Sequence, residues 1–193
     1  MIEDFFEPPE YERILAELST ASGRSSVVYG STQSGTVDES SRRSLRLTPA
    51  PETAQLVVDK LLDCMGRIAS YFDVELGECE EPQFLRYKKG DFFVAHQDGN
   101  TGLLRLDTER RRVSTVILLG REFDSPETDS PEPGPNVYCG GSLVFTNLKA
   151  PPEMAKFRMV ADPGTLIAFR SETTHEVTPV THGERLSIVS WYR

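Results

Sequence analysis

The chain has 193 residues, of which 38% are hydrophobic and 26% charged, and carries a formal net charge of −9. That length supports one well-buried core and excludes two ordinary domains, and no apolar run approaches the roughly 18 residues that a membrane span needs. The acidic balance argues against a general affinity for nucleic acid, whose binders need Lys and Arg to neutralise phosphates.

The first residues, Met1 to Glu7, are acidic where a secretory signal is basic, and no apolar stretch follows, so cytoplasmic residence is expected. Pro8-Pro9 suits a first helical turn, and Tyr11, Ile14, Leu15 and Leu18 follow at helical spacing. A polar stretch from Ser19 to Ser44 reads as loop with one short strand at Val27-Val28-Tyr29. A second helix starts around Thr48-Pro49-Ala50-Pro51-Glu52. Leu56, Val57, Lys60, Leu61, Cys64, Met65 and Ile68 carry it to about Tyr71. Cys64 reads there as a small buried hydrophobe, and with Cys79 and Cys139 it shows no disulfide or zinc spacing.

After Glu81 the texture changes to short strands: Gln83–Tyr87, Phe92–His96, Val113–Leu119, Ser142–Phe145, Thr165–Phe169, Glu176–Val180 and Leu186–Trp191. Arg110-Arg111-Arg112 reads as a solvated loop or the lead-in to a strand. Phe123 to Gly134, rich in Pro and acids, reads as a long surface loop. The expectation is one domain, 1–193, in which residues 1–80 are helices and loop and 81–193 form the core. The fold class is mainly β with flanking helices (α+β), an antiparallel barrel or sandwich with the helices packed outside.

The histidines are His96, His175 and His182. His96-Gln97-Asp98 ends a predicted strand, where residues two apart share a face, so both side chains can approach one ion. His175 stands directly before another strand. Two imidazoles and one carboxylate make the facial triad of non-haem iron(II) oxygenases, which leaves positions open for other ligands. His-x-Asp alone is a weak signal. It gains weight from Arg185, ten residues after His175: a hairpin centred on His182-Gly183 returns the chain and brings Arg185 to the depth of the metal. A guanidinium binds carboxylate with a planar two-pronged hydrogen bond, which suits the far carboxylate of 2-oxoglutarate. His182 is the alternative second imidazole, disfavoured because His182-Gly183 reads as a turn.

On Leu85 to Asp98, Gly140-Gly141-Ser142-Leu143-Val144-Phe145, and His175 to Tyr192, the chain resembles the prolyl 4-hydroxylase-like iron(II)/2-oxoglutarate-dependent dioxygenases. The resemblance implies a double-stranded β-helix, a form of jelly roll, with iron(II) held by His96, Asp98 and His175. It further implies that Arg185 anchors 2-oxoglutarate and that Tyr87 donates its hydroxyl to it. Molecular oxygen is then consumed, succinate and carbon dioxide are released, and ascorbate serves as accessory reductant. The implied substrate is a prolyl residue in a peptide or protein, or proline or another amino acid-like small molecule. The loops Asn100–Arg112 and Phe123–Asn136 are expected to flank the opening and to suit a peptide groove. Ser142 departs from the family, which has an acid after the glycine pair. Asp98, where related halogenases carry a small residue, favours hydroxylation. The rival readings are a non-catalytic metal-binding barrel of cupin type, which leaves Tyr87 and Arg185 unexplained, and a zinc hydrolase.

Overall fold

The computed structural model describes residues 1–26, 37–100, 107–123, 136–147, 149–151 and 154–193. The predicted strand at Val27-Val28-Tyr29, residues 101–106 of the first predicted flanking loop and nearly all of the second (124–135) lie outside the described residues.

Two helices are present among them, α1 (Pro8–Thr20) and α2 (Pro51–Phe72). Each opens on proline, whose missing N–H costs nothing in the first turn. At the head of α1 the Glu7 N–H donates to Glu10 Oε2 at 2.8 Å, and α2 stops where Asp73 turns left-handed. Neither helix is long and apolar enough to cross a membrane.

The six-stranded sheet runs in the order β1 (Gly23–Ser25), β3 (Leu45–Leu47), β4 (Gln83–Tyr87), β14 (Arg185–Tyr192), β6 (Val113–Leu118), β11 (Leu166–Arg170). The five-stranded sheet runs β10 (Lys156–Met159), β9 (Leu143–Thr146), β12 (Thr174–Val177), β5 (Phe92–His96), β2 (Arg42–Arg43). A third sheet joins β13 (Val180–Gly183), β8 (Val137–Gly140) and β7 (Arg121–Phe123). All pairings are antiparallel except β7 with β8.

Alternation along β14 explains how one sheet serves two purposes. Leu186, Ile188 and Tyr192 face outward into a core with Ile14 and Leu18 of α1 and Val57, Leu61 and Ile68 of α2. Arg185, Ser187, Val189 and Trp191, on the opposite face, line a cavity. Its far wall is the five-stranded sheet, through Phe93, His96, Leu143, His175 and Val177. The helices therefore cover the outside of a β-sandwich whose inside carries the polar groups, a jelly roll with helices outside.

The predicted strands stand within about a residue of their expected bounds, with one correction. Glu176–Val180 is not one strand: it breaks at Thr178-Pro179, because proline has no N–H for a ladder. The hairpin expected at His182-Gly183 is also corrected. Gly183 does turn with φ +68°, but β13 pairs with β8 while β14 pairs with β4 and β6. The chain changes sheets there instead of folding back on itself. The Ser19–Ser44 stretch, expected as loop with one short strand, contributes two short strands among its described residues, β1 and β2.

Of the basic run, Arg112 leads directly into β6, but Arg111 is not solvated. It is 8% exposed, its guanidinium lies 3.8 Å from the centre of the Trp191 ring, and it binds Glu80 through Nε (2.8 Å) and Nη2 (2.7 Å). Arg193 Nε adds a third donor to Glu80 at 2.8 Å. Burial by itself raises the Glu80 carboxyl, but the Arg111 hydrogen bond and charge, followed by those of Arg193, outweigh it and hold it below the ordinary value. A depressed carboxyl stabilises the folded state above its unfolded pKa, about 4.3 for Glu. That contribution fades as pH falls through the lower folded value. Glu80→Gln is therefore expected to lower the urea midpoint at pH 7, with the gap from the parent protein narrowing below about pH 4. A gap that stays constant into acid would show that the ion pairs carry no stability.

Candidate metal centre

The cavity gathers three of the sequence-predicted residues around one point. One ligand atom from each of His96, Asp98 and His175 lies within 4.8 Å of the others. His96 Nε2 stands 3.6 Å from Asp98 Oδ1, and His175 Nε2 stands 3.5 Å from Asp98 Oδ2. Both rings turn Nδ1 to a carbonyl two residues back, Val94 at 2.8 Å and Thr173 at 3.0 Å. A ring that donates from Nδ1 keeps its Nε2 lone pair for an ion.

Local backbone structure sets these positions. His175 faces His96 across β12 and β5, but Val177 faces Phe93, so two residues of β5, Val94 and Ala95, oppose the single Glu176 of β12. Such a bulge turns Phe93 onto the same face as His96, and the rings stack with centroids 3.6 Å apart and 17° between planes. Phe169 meets the His175 ring edge-on at 4.7 Å. Asp98 lies beyond the end of β5, so strand alternation alone does not aim it. The N–H groups of Asp98 and Gly99 donate to Ser171 O at 2.9 and 3.2 Å. Gly99 is required there, since a Cβ would come within 2.0 Å of Thr108 O.

Burial and the neighbouring groups pull the carboxylate in opposite directions. Burial alone would raise the Asp98 carboxyl, but the His175 and His96 rings and the Ser114 hydroxyl outweigh it and hold it below the ordinary carboxylate range. Burial lowers His175 despite the pull of Asp98. Metal coordination takes the carboxylate ionised and the imidazole neutral, and both shifts run in that direction.

Arg185 enters the same cavity from the opposite sheet, 2% exposed. It stands directly across from Tyr87, itself buried, with its guanidinium 5.2 Å from the tyrosine ring centre. Nη1 donates to Ser187 Oγ at 2.8 Å, and Nε is buried without a partner among the described residues. An orphaned guanidinium N–H in a cavity wall fits a carboxylate ligand. The glycine pair makes room for the arginine: a Cβ on Gly141, whose φ is +63°, would meet Arg185 Cδ at 3.1 Å.

His182 is exposed on β13, its Nδ1 3.2 Å from Thr181 Oγ1, outside the cluster. Ser142, where an acid was expected, donates its hydroxyl to Glu122 of β7, which also faces Arg158 Nε at 3.4 Å. A carboxylate is thus supplied beside the glycine pair from another strand. Sequence reasoning missed Glu122, and it missed Phe93, Ser187, Trp191 and Arg42, all of which line the cavity. Only Phe93 carried a signal, as an aromatic within the His-x-Asp strand.

The description 2OG-Fe(II) oxygenase superfamily belongs to a family model that matches residues 82–193. A PKHD-type hydroxylase of Burkholderia lata is 28% identical over 165 residues, covering 85% of this chain and 66% of that protein. The chain thus spans slightly less than two thirds of the length of such curated relatives. Solved structures of similar fold include prolyl hydroxylases. A Pseudomonas putida prolyl-4-hydroxylase has a TM-score of 0.65 and 22% identity, covering 98% of this chain and 88% of that one. A Trichoplax adhaerens prolyl hydroxylase, in complex with a hypoxia inducible factor oxygen degradation domain peptide fragment, has a TM-score of 0.63 and 16% identity, covering 99% and 81%.

Proposed function

The chain belongs to the 2OG-Fe(II) oxygenase superfamily, and on that premise we propose that it is an iron(II)- and 2-oxoglutarate-dependent dioxygenase hydroxylating a prolyl C–H bond. The observation that carries this reading is the meeting, in one cavity, of a His-Asp-His cluster and an arginine with a buried unpartnered Nε. A metal-binding module of cupin type needs only the first. The peptide-bound Trichoplax adhaerens hydroxylase supports a peptide or protein substrate, with a proline-like small molecule of the same chemistry the second candidate.

In this reading His96 and His175 offer Nε2 lone pairs and Asp98 its carboxylate to iron(II). Arg185 pairs with the far carboxylate of 2-oxoglutarate, and the Tyr87 hydroxyl donates to it. When bound, the iron and 2-oxoglutarate supply oxygen activation coupled to decarboxylation, with succinate and carbon dioxide released. The protein's own part is geometry. Phe93 and Phe169 hold the imidazole planes, and Leu143, Val177 and Val189 give the cavity apolar walls that exclude water. Ascorbate is proposed as the accessory reductant.

We read residues 1–193 as one domain, 1–80 the helical and loop part and 81–193 the catalytic core, because Ile14 and Leu61 share a single apolar cluster with Ile117 and Ile188. Cytoplasmic residence is supported by three free cysteines, Cys64, Cys79 and Cys139.

Oxygen-dependent succinate release from iron-loaded protein, stimulated by prolyl peptides or free proline, is the expected result. A folded, metal-loaded protein that binds no 2-oxoglutarate would return the chain to the metal-binding module.

A further inference from the structure

Arg111 reaches from just before β6 to the metal loop, and its guanidinium uses all three nitrogens. Nε and Nη2 hold the Glu80 carboxylate, Nη1 donates to Asp98 O at 3.3 Å, and the plane covers Trp191. A second contact is steric: a Cβ on Gly99 would come within 2.9 Å of Arg111 Cβ. The arginine therefore packs directly on the peptide that follows Asp98. Trp191 belongs to β14 and Asp98 to the loop after β5, and both line the cavity. One buried side chain thus joins its two walls.

Asp98 needs such an external tie, because it lies beyond β5, where no ladder sets its backbone. Its N–H is held by Ser171 O at 2.9 Å, and Arg111 holds its C=O. With the peptide groups on both sides of the Cα fixed, φ and ψ are fixed, and so is the direction in which the carboxylate leaves the backbone. Removing Arg111 frees one of these two peptide groups and leaves the other. A guanidinium is otherwise a poor neighbour for a bound cation. Here Glu80 takes two of its nitrogens and offsets the charge, so Arg111 can hold the carbonyl without opposing a divalent ion.

We propose that Arg111 is a positioning residue for the metal centre: by fixing the Asp98 carbonyl against β14 it holds the Asp98 carboxylate where a divalent ion needs it. This rests on the reading of His96, Asp98 and His175 as a metal centre. Arg111 acts through Asp98 alone, so it governs metal affinity and leaves the co-substrate anchor, Arg185, as it is.

Manganese(II) affinity of the full chain is measured by calorimetric titration in the parent protein, Arg111→Met and Arg193→Met, with urea midpoints beside it. Methionine keeps an unbranched apolar stem over Trp191. Arg193 is the control, because its Nε also donates to Glu80, at 2.8 Å, but it makes no hydrogen bond to Asp98 among the described residues. Both variants lose ion pairs to Glu80 and are expected to unfold at lower urea. Only Arg111→Met is expected to lose manganese(II) affinity, by about tenfold or more, as loss of a group that orients a metal ligand does. Its 2-oxoglutarate affinity, measured at saturating manganese(II), should stay within a few-fold of the parent's. A merely structural arginine would lower the urea midpoint and leave metal affinity alone, and that result overturns the proposal. So does an equal loss of metal affinity in Arg193→Met, or a loss of 2-oxoglutarate affinity as large as that of metal, since either means that the whole cavity loosens. Should Arg111→Met fail to fold, Arg111→Lys decides, because lysine keeps the charge beside Glu80 but brings one nitrogen in place of three. A folded Arg111→Lys weakened about tenfold supports the proposal, and one that binds manganese(II) as the parent does overturns it. A parent protein that binds no manganese(II) is a separate result: it strikes the metal centre first, and the proposal falls with it.

Discussion

Asp98→Ala and His175→Ala are each expected to weaken binding of iron(II), or of manganese(II) as its stand-in, by about 100-fold or more. Loss of outer partners of metal ligands already costs about 10- to 100-fold, and loss of a ligand costs at least that. The effect is local. Asp98 supplies the only carboxylate of the cluster, and both imidazole Nε2 atoms stand within 3.6 Å of it. Calorimetric titration of the metal measures the loss, and circular dichroism checks that the fold persists. Folding should survive, because removing the carboxylate leaves beside it the His175 imidazole, which burial already favours as neutral. His182→Ala is the control and should bind metal normally, its ring being exposed on β13. Loss of metal in that variant alone would transfer the second imidazole from His175 to His182.

Arg185→Ala is expected to reduce 2-oxoglutarate affinity by about 100-fold while leaving metal affinity within a few-fold of the parent. A charge-assisted hydrogen bond to a buried carboxylate contributes about 1.5–3 kcal/mol, and a guanidinium can make two. Arg185 is already tied to Ser187 through Nη1, so the group waits in place and little ordering accompanies binding. The measurement is an anaerobic titration of iron-loaded protein with 2-oxoglutarate, read from the visible charge-transfer band. Arg185→Lys should retain part of the affinity as a point charge without the planar fork. Tyr87→Phe, which removes one neutral hydroxyl, should cost about tenfold at most. An unchanged titration in Arg185→Ala would remove the co-substrate anchor from the proposed site.

The split between metal loss and co-substrate loss follows from the architecture. The metal cluster stands on the five-stranded sheet and its outgoing loop, and the arginine on the six-stranded sheet. Substitutions on one wall therefore leave the other wall's backbone in place. Arg111 is the link between the metal loop and the main sheet. Its Nη1 donates to Asp98 O at 3.3 Å while its plane covers Trp191.

Much of this site is legible in the linear chain because its parts are short-range or regular. His96 and Asp98 are two residues apart, so their proximity needs no tertiary information. Arg185 heads an apolar strand whose alternate residues, Leu186 and Ile188, must face a core, and that alternation sends Arg185 to the other side. The helix spacing of Ile14, Leu18, Val57 and Leu61 likewise marks one buried face on each of α1 and α2. Arg42 leaves no such trace. Its strand is two residues long, lies in a polar stretch, and pairs with a partner about fifty positions away. The sheet change at Gly183 is hidden for a related reason: a turn residue signals that the chain reverses, not which strand receives it.

The amino-acid sequence by itself determined the two amphipathic helices, most strand positions of the second half, and the residue types available for chemistry. Those properties depend on periodicity and on near neighbours in the chain. Tertiary structure alone decided which polar groups share a cavity. It set Arg42 across from Phe93, supplied Glu122 to Ser142 in place of an adjacent acid, and left Arg185 Nε facing an unfilled need. The first is a pairing between strands distant in the chain, set by sheet register, and the second joins side chains that no strand pairing connects. Register arises only when whole faces are buried together.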